Sequence, residues 1–234
     1  MTAAYPSHVV ITIDGPSGVG KSTAAKRLAQ CLGYGYVDSG ALYRAVGWLV
    51  QRAALPFDAT SAIVALLRRT PMEVTFRHGQ SEVWIQGENV MAQLRGETVG
   101  SAASAVATQP AVRQIVTAQL RRLRYQTDVV MEGRDIGTEV FPDAPVKFFL
   151  DASLEVRTQR RYREMQAAGH ATTLARVQQA VAARDLQDRT RVVAPLRPAD
   201  EAHVIDTTDL SIDDVVRLML SEICPQRVQD NECV

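Results

Sequence analysis

The period of hydrophobic and polar positions changes several times along the chain, and those changes mark out its elements. Val9-Val10-Ile11-Thr12-Ile13 is an almost unbroken β-branched run, the pattern of a parallel strand buried on both faces. Ser22 to Leu32 sets apolar residues at helical spacing among good helix formers. Tyr34 to Val37 predicts a short strand, Ala41 to Ala53 a helix broken by Pro56, and Asp58 to Arg69 an amphipathic helix. Alternation then takes over. Met72 to Arg77 and Glu82 to Gln86 read as two strands around a turn at His78 to Ser81, and Asn89-Val90 starts a third.

Helical spacing returns at Thr98 to Ala107 and at Val112 to Arg124, separated by Pro110. Asp128 to Glu132 and Val146 to Leu150 are apolar runs of the kind found in central parallel strands. Helices are predicted over Ser153 to Ala168 and Leu174 to Arg191, a strand over Ala202 to Ile205, and a last helix over Ser211 to Ile223. Ser211 suits the N-cap of that helix, with Asp213 and Asp214 in its first turn, where carboxylates complement the dipole. Pro225 closes the helix, and the polar tail to Val234 is expected to fray.

The first strand and helix are joined by Gly15-Pro16-Ser17-Gly18-Val19-Gly20-Lys21-Ser22, followed by Thr23, which has the form G-x-x-x-x-G-K-[ST]. Such a loop turns successive N–H groups inward at a helix N-terminus, a cradle for phosphate. Lys21 can reach the β- and γ-phosphates of a nucleoside triphosphate, and the Ser22 hydroxyl can face Mg²⁺. The predicted architecture is α/β: a P-loop NTPase-type parallel sheet of about five strands with helices on both faces. The alternating segment does not belong to a βαβ repeat, so it reads as a small inserted antiparallel subdomain.

Composition narrows the function classes. Lysine plus arginine equals aspartate plus glutamate at 26 each, which gives no global case for a nucleic-acid polymer or a membrane surface as partner. Lysine occurs at 21, 26 and 147, and every other basic side chain is arginine apart from four histidines. Cys31, Cys224 and Cys233 form no C-x-x-C pair, and the histidines are scattered, which fits a reducing compartment and suggests no metal cluster. No signal-peptide pattern or spanning-length apolar run is present, so a cytoplasmic location and no membrane partner are expected.

In open α/β sheets ligands collect at the carboxyl ends of the strands. Three such ends carry polar residues: Asp14, Asp38-Ser39 and Gly133-Arg134-Asp135. Arg44 lies one turn into the helix after Asp38. Arg184, Asp188 and Arg191 stand at i, i+4 and i+7, on one face of a continuous helix, and Arg157, Arg160, Arg161 and Arg163 form a second group. Arginine suits phosphate through its planar fork. The absence of an N-K-x-D segment counts against a GTPase. Glu132 is the nearest carboxylate to a metal-binding strand end and could act through water. A small kinase whose acceptor carries a phosphate fits best, with UMP, AMP or shikimate as other acceptors.

Five segments carry a resemblance: residues 13–22, Val37 to Arg44, Glu132 to Ala144, Lys147 to Ser153, and Arg184 to Leu196. They are similar to bacterial cytidylate kinases, members of the P-loop nucleoside monophosphate kinases, over residues 8–222. The resemblance implies transfer of the γ-phosphoryl group of ATP to CMP or dCMP with Mg²⁺. It implies one kinase domain over residues 1–234, an inserted NMP-binding subdomain at 71–107 and a short lid at 157–172. It assigns Ser39, Arg44, Arg134 and Arg191 to the acceptor phosphate, Ser104, Arg113 and Asp135 to cytosine, and Arg184 and Asp188 to the ribose side. ATP falls to Gly15 through Thr23 with Arg160 and Arg161, and catalysis to Lys21, Arg134 and Arg191. A monomer is expected.

Overall fold

The computed structural model describes residues 8–225. The polar tail after Pro225 lies outside them. The chain runs β1 (Val10–Asp14), α1 (Lys21–Leu32), β2 (Gly35–Asp38), α2 (Ser39–Arg52), α3 (Thr60–Arg69), β3 (Met72–Arg77), β4 (Gln80–Ile85) and β5 (Glu88–Asn89). It continues with α4 (Glu97–Val106), α5 (Pro110–Leu123), β6 (Val129–Gly133), a single π turn (Ile136–Val140), β7 (Val146–Asp151), α6 (Leu154–Ala167), α7 (Leu174–Thr190), β8 (His203–Asp206) and α8 (Ile212–Ile223).

Strands β2-β6-β1-β7-β8 lie side by side and all run parallel. The central strands β6, β1 and β7 are mostly apolar because both faces are covered, while edge strand β8 keeps only Ile205 buried. Ile11, Ile13, Phe148 and Leu150 pack with Leu28 of α1 and Met219 of α8. Val37 and Met131 pack on the other side with Leu42 and Val46 of α2, Ile63 of α3 and Leu120 of α5. Side chains of this kind each contribute roughly 1.5–3 kcal/mol on full burial. A third, small cluster of Met165, Val177 and Val181 joins α6 to α7.

The antiparallel piece is hydrogen-bonded onto this sheet. β3 and β4 pair from Met72↔Ile85 to Arg77↔Gln80, and β4 meets β2 through Tyr36↔Gln80. The turn is tighter than the sequence pattern predicts. His78 and Gly79 both have positive φ, +50° and +72°, which matches the two-residue turn that follows strand twist and releases Gln80 and Ser81 into β4.

Helix boundaries follow local chemistry. Gly20 and Gly33, both left-handed, bracket α1. Pro110 opens α5 instead of merely separating two helices, because an N–H at the first helical position has no partner within the helix and its loss costs no bond. At α8 the Ser211 and Asp214 side chains each accept from the other residue's backbone N–H, a full capping box. The π turn is absent from the hydrophobic pattern, since five residues carry too little periodicity to announce it.

Candidate active site

The carboxyl ends of the central strands align. Asp14 is opposite Gly133, and Asp38 is opposite Glu132. The phosphate loop, the start of α2, the Arg134-Asp135 turn, and residues of α4, α5 and α7 therefore surround one cleft of about 490 Å³.

The loop curls because its glycines do what other residues cannot. Gly15 has φ +148°, and a Cβ there would stand 2.1 Å from the Leu150 carbonyl oxygen. A Cβ on Gly18, at φ +83°, would stand 2.9 Å from the Arg157 carbonyl oxygen. Lys21 is buried, and its Nζ donates to the Pro16 carbonyl at 2.6 Å. Burial first, then Arg134, lowers its pKa to about 7, while Glu132 acts in the opposite sense. Tyr36 donates its hydroxyl to buried Glu132, and Ser22 bonds to the same carboxylate. Burial and then Asp38 raise the pKa of Glu132.

The opposite wall is a chain of ion pairs. Asp135, 4% exposed, is paired with Arg113 and lies 3.5 Å from Arg191 Nη2. Arg113 also donates to the Ala107 carbonyl at 3.1 Å and stacks over Tyr43, 5.5 Å from the ring centroid. Arg134 donates through Nε to Asp188 at 3.0 Å, and Arg191 Nη1 lies 3.9 Å from the same carboxylate. Arg44 donates to Asp38 at 2.6 Å. Arg184 lines the cleft, and desolvation of its guanidinium followed by Arg134 lowers its pKa to about 10.

Ser39, Arg44, Ser104, Arg113, Arg134, Asp135, Arg184, Asp188 and Arg191 all line this cleft, with Ser17, Gly18, Gly20, Lys21, Ser22 and Thr23 of the loop. Two readings change. Arg191 is not on the face of a continuous helix: α7 ends at Thr190, and Arg191 is its extended C-cap, with Nε donating to the Ala194 carbonyl. The basic group on α6 also divides. Arg161 lines the cleft and donates to Glu164. Arg157 is buried against Asp185, while Arg160 donates to the hydroxyl and carbonyl of Thr207, whose hydroxyl in turn bonds the Val19 carbonyl. Arg160 thus braces the phosphate loop from behind.

Sequence reasoning missed Tyr43 and Tyr36 as members of the site. Tyr43 stands four residues after Ser39 on α2, a helical spacing that would have pointed to it. Tyr36 reaches Glu132 only through strand pairing, which has no local signal.

Phosphate-loop strand, loop and helix feeding a cleft walled with arginine define a P-loop phosphotransferase. The family model described as Cytidylate kinase matches residues 11–224. A cytidylate kinase of Ralstonia nicotianae is 41% identical over 218 residues, covering 93% of each chain. One of Pasteurella multocida is 40% identical over 217 residues, covering 93% of this chain and 96% of its own. A crystal structure of an uncharacterized protein from Eubacterium ventriosum superimposes with a TM-score of 0.51 at 14% identity, covering 94% of this chain and 100% of that one, and shares the fold. The chain belongs to the cytidylate kinase family. It is an ATP-dependent kinase whose substrates are nucleotides and whose family works with a divalent cation. No helix among the described residues is long and apolar enough to cross a membrane.

Proposed function

We propose that this cleft performs direct in-line transfer of the γ-phosphoryl group of ATP to the 5′-phosphate of CMP or dCMP. A phosphate oxygen of the acceptor forms the new bond to phosphorus, the bond to the β,γ-bridging oxygen breaks, and ADP leaves with CDP or dCDP. The acceptor is already an anion, so no general base is required. The observation that carries this reading is a buried carboxylate, Asp135, bracketed by Arg113 and Arg191 across the same cleft from Lys21. A carboxylate accepts from the N4 amino group of cytosine, and arginine and serine donors such as Arg113 and Ser104 serve N3 and O2. Uracil presents a carbonyl where cytosine has the amino group, and would meet Asp135 with repulsion.

Ser39, Arg44, Arg134 and Arg191 hold the acceptor phosphate, and Arg184 and Asp188 the ribose side. Lys21 and the loop N–H groups from Gly15 to Thr23 hold the donor phosphates, with Arg161 facing them and Arg160 bracing Val19. Lys21, Arg134 and Arg191 spread positive charge over the equatorial oxygens as negative charge develops there. Residues 71–107 form the acceptor-binding portion and 157–172 the lid, within a single kinase domain.

Ser22 and Glu132 supply only oxygen donors, which suits hard Mg²⁺. Among the described residues no group of three or more His, Cys, Asp or Glu could hold a metal alone, so the ion would share phosphate oxygens and water. Ser22 and Glu132 would hold such an ion, which would supply positive charge to the phosphates of the donor. Large exposed apolar side chains such as Tyr125, Leu174 and Val204 are scattered over different elements, which favours a monomer, and ATP as donor favours a cytoplasmic enzyme.

The test is a coupled assay of ADP release across CMP, dCMP, UMP, AMP and shikimate with Mg²⁺-ATP. CMP or dCMP is expected to give the highest kcat/KM by at least about tenfold. Equal or higher kcat/KM with UMP, AMP or shikimate would overturn the reading of Asp135 as the carboxylate that selects cytosine.

A further inference from the structure

Arg134 and Asp135 reach the cleft from a short turn, and what fixes that turn is a residue outside the set described above. The chain leaves β6 at Gly133, passes Arg134 and Asp135, and winds into the π turn of Ile136–Val140. The first N–H groups of any helical turn lack partners within it. Here they are taken by Asp14, the last residue of β1. One oxygen accepts from the Ile136 N–H at 2.9 Å and the other from the Gly137 N–H at 2.7 Å. Asp14 is 4% exposed, so these two bonds replace the water a carboxylate would otherwise hold.

The surroundings leave the turn little freedom. A Cβ on Gly137 would stand 2.9 Å from Thr12 Oγ1 and 3.5 Å from the Asp14 carboxylate, so only glycine allows this approach. At the other end, a Cβ on Gly133 would stand 2.6 Å from Ser39 Oγ. The two cleft side chains are therefore held between two close contacts. On its other side Asp14 runs straight into Gly15 and the phosphate loop, and it feels the charges of both Lys21 and Asp135. One carboxylate thus joins the strand that launches the donor loop to the turn that carries the acceptor contacts.

We propose that Asp14 is a positioning residue for acceptor recognition: by clamping the N–H groups of Ile136 and Gly137, it fixes Arg134 and Asp135 relative to the phosphate loop. This rests on the reading of Asp135 as the base-reading carboxylate. A cap that served folding alone would lower the melting temperature and leave the selectivity between acceptors untouched.

The experiment compares Asp14→Asn, Gly137→Ala and Asp135→Asn with the natural chain, by steady-state kinetics with CMP, UMP and ATP varied in turn and by thermal melting. In Asp14→Asn an amide N–H₂ replaces one acceptor and faces a backbone N–H. The expected result is a rise in KM for CMP of about tenfold or more, a parallel loss of CMP-over-UMP preference, and a change in KM for ATP below about threefold. Gly137→Ala pushes the same turn from its other side and should show the same signature more weakly, so it carries the test if Asp14→Asn does not fold. A lower melting temperature with unchanged CMP-over-UMP preference overturns the proposal, and so does an equal rise in both KM values. If Asp135→Asn leaves CMP kinetics intact while Asp14→Asn alters them, the clamp stands and the assignment of Asp135 falls.

Discussion

The two walls of the cleft are built on opposite plans. The proposed donor wall is one contiguous stretch, Gly15 to Thr23, whose chemistry lies in its backbone N–H groups and the Lys21 ammonium, with glycines packed against the Leu150 carbonyl and the Arg157 backbone. The acceptor wall is assembled from α2, α4, α5, the turn after β6, and the end of α7, and its chemistry lies in side chains already paired with one another. A backbone cradle suits a phosphate chain common to every triphosphate. A wall of interlocked arginines and carboxylates fixes donors and acceptors at stated positions, which discrimination between bases requires. The difference predicts that damage to the loop costs rate, while damage to the base-facing side chains of the second wall, Ser104, Arg113 and Asp135, costs selectivity.

Lys21→Met should give the largest effect, because it removes the one buried ammonium of the donor wall. A fall in kcat of about 10²–10³-fold is expected, with the CMP-over-UMP preference preserved. Measuring kcat with both acceptors checks it, and a changed preference would mean that the two walls are not separable in this way.

Asp135→Asn should come next. It keeps the shape but turns one acceptor into a donor between Arg113 and Arg191. KM for CMP should rise by about 10–100-fold while KM for ATP stays within about threefold, and the preference for CMP should narrow as UMP gains a donor for its carbonyl. Titration calorimetry with CMP and UMP separately reads the same difference without turnover.

How much of this was legible in the sequence follows the same division. The loop from Gly15 to Ser22 has a fixed spacing, and its strand and helix are contiguous with it, so one window holds the whole signal. The central strands β1, β6 and β7 announced themselves because burial on both faces leaves them mostly apolar. The residues proposed for the acceptor were reached through resemblance and through strand-end position, and the structure places them around one cleft. What stayed hidden depends on contacts far apart in the chain. Asp14 looks like turn chemistry until it is seen 122 and 123 residues from the two N–H groups it caps. Arg160 reads as one of a basic row until Thr207 and Val19 take it behind the loop. Arg191 continues a helical period that the chain abandons one residue earlier.

The smallest expected effect joins the two walls at Asp14. Burial raises its carboxyl to about 6 from an ordinary 3.8, against the lowering pull of the Gly137 and Ile136 N–H groups and of Lys21, with Asp135 adding to the rise. Lys147 of β7 also passes Gly137 from the neighbouring strand. Since its folded pKa lies above its unfolded one, the folded state binds the proton more tightly. This group therefore adds stability as pH falls from about 7 toward 4, by something on the order of 3 kcal/mol. Recognition should move the other way: protonation puts a hydroxyl where an acceptor is needed, so KM for CMP should rise a few-fold below pH 6 while the fold tightens. The acceptor phosphate titrates near 6 as well. The quantity to measure is accordingly the pH profile of KM for CMP in the natural chain divided by that of Asp14→Asn, beside melting curves of both. The ratio should fall as the pH is raised from 5 to 7, and a flat ratio would confine Asp14 to folding and return the walls to independence.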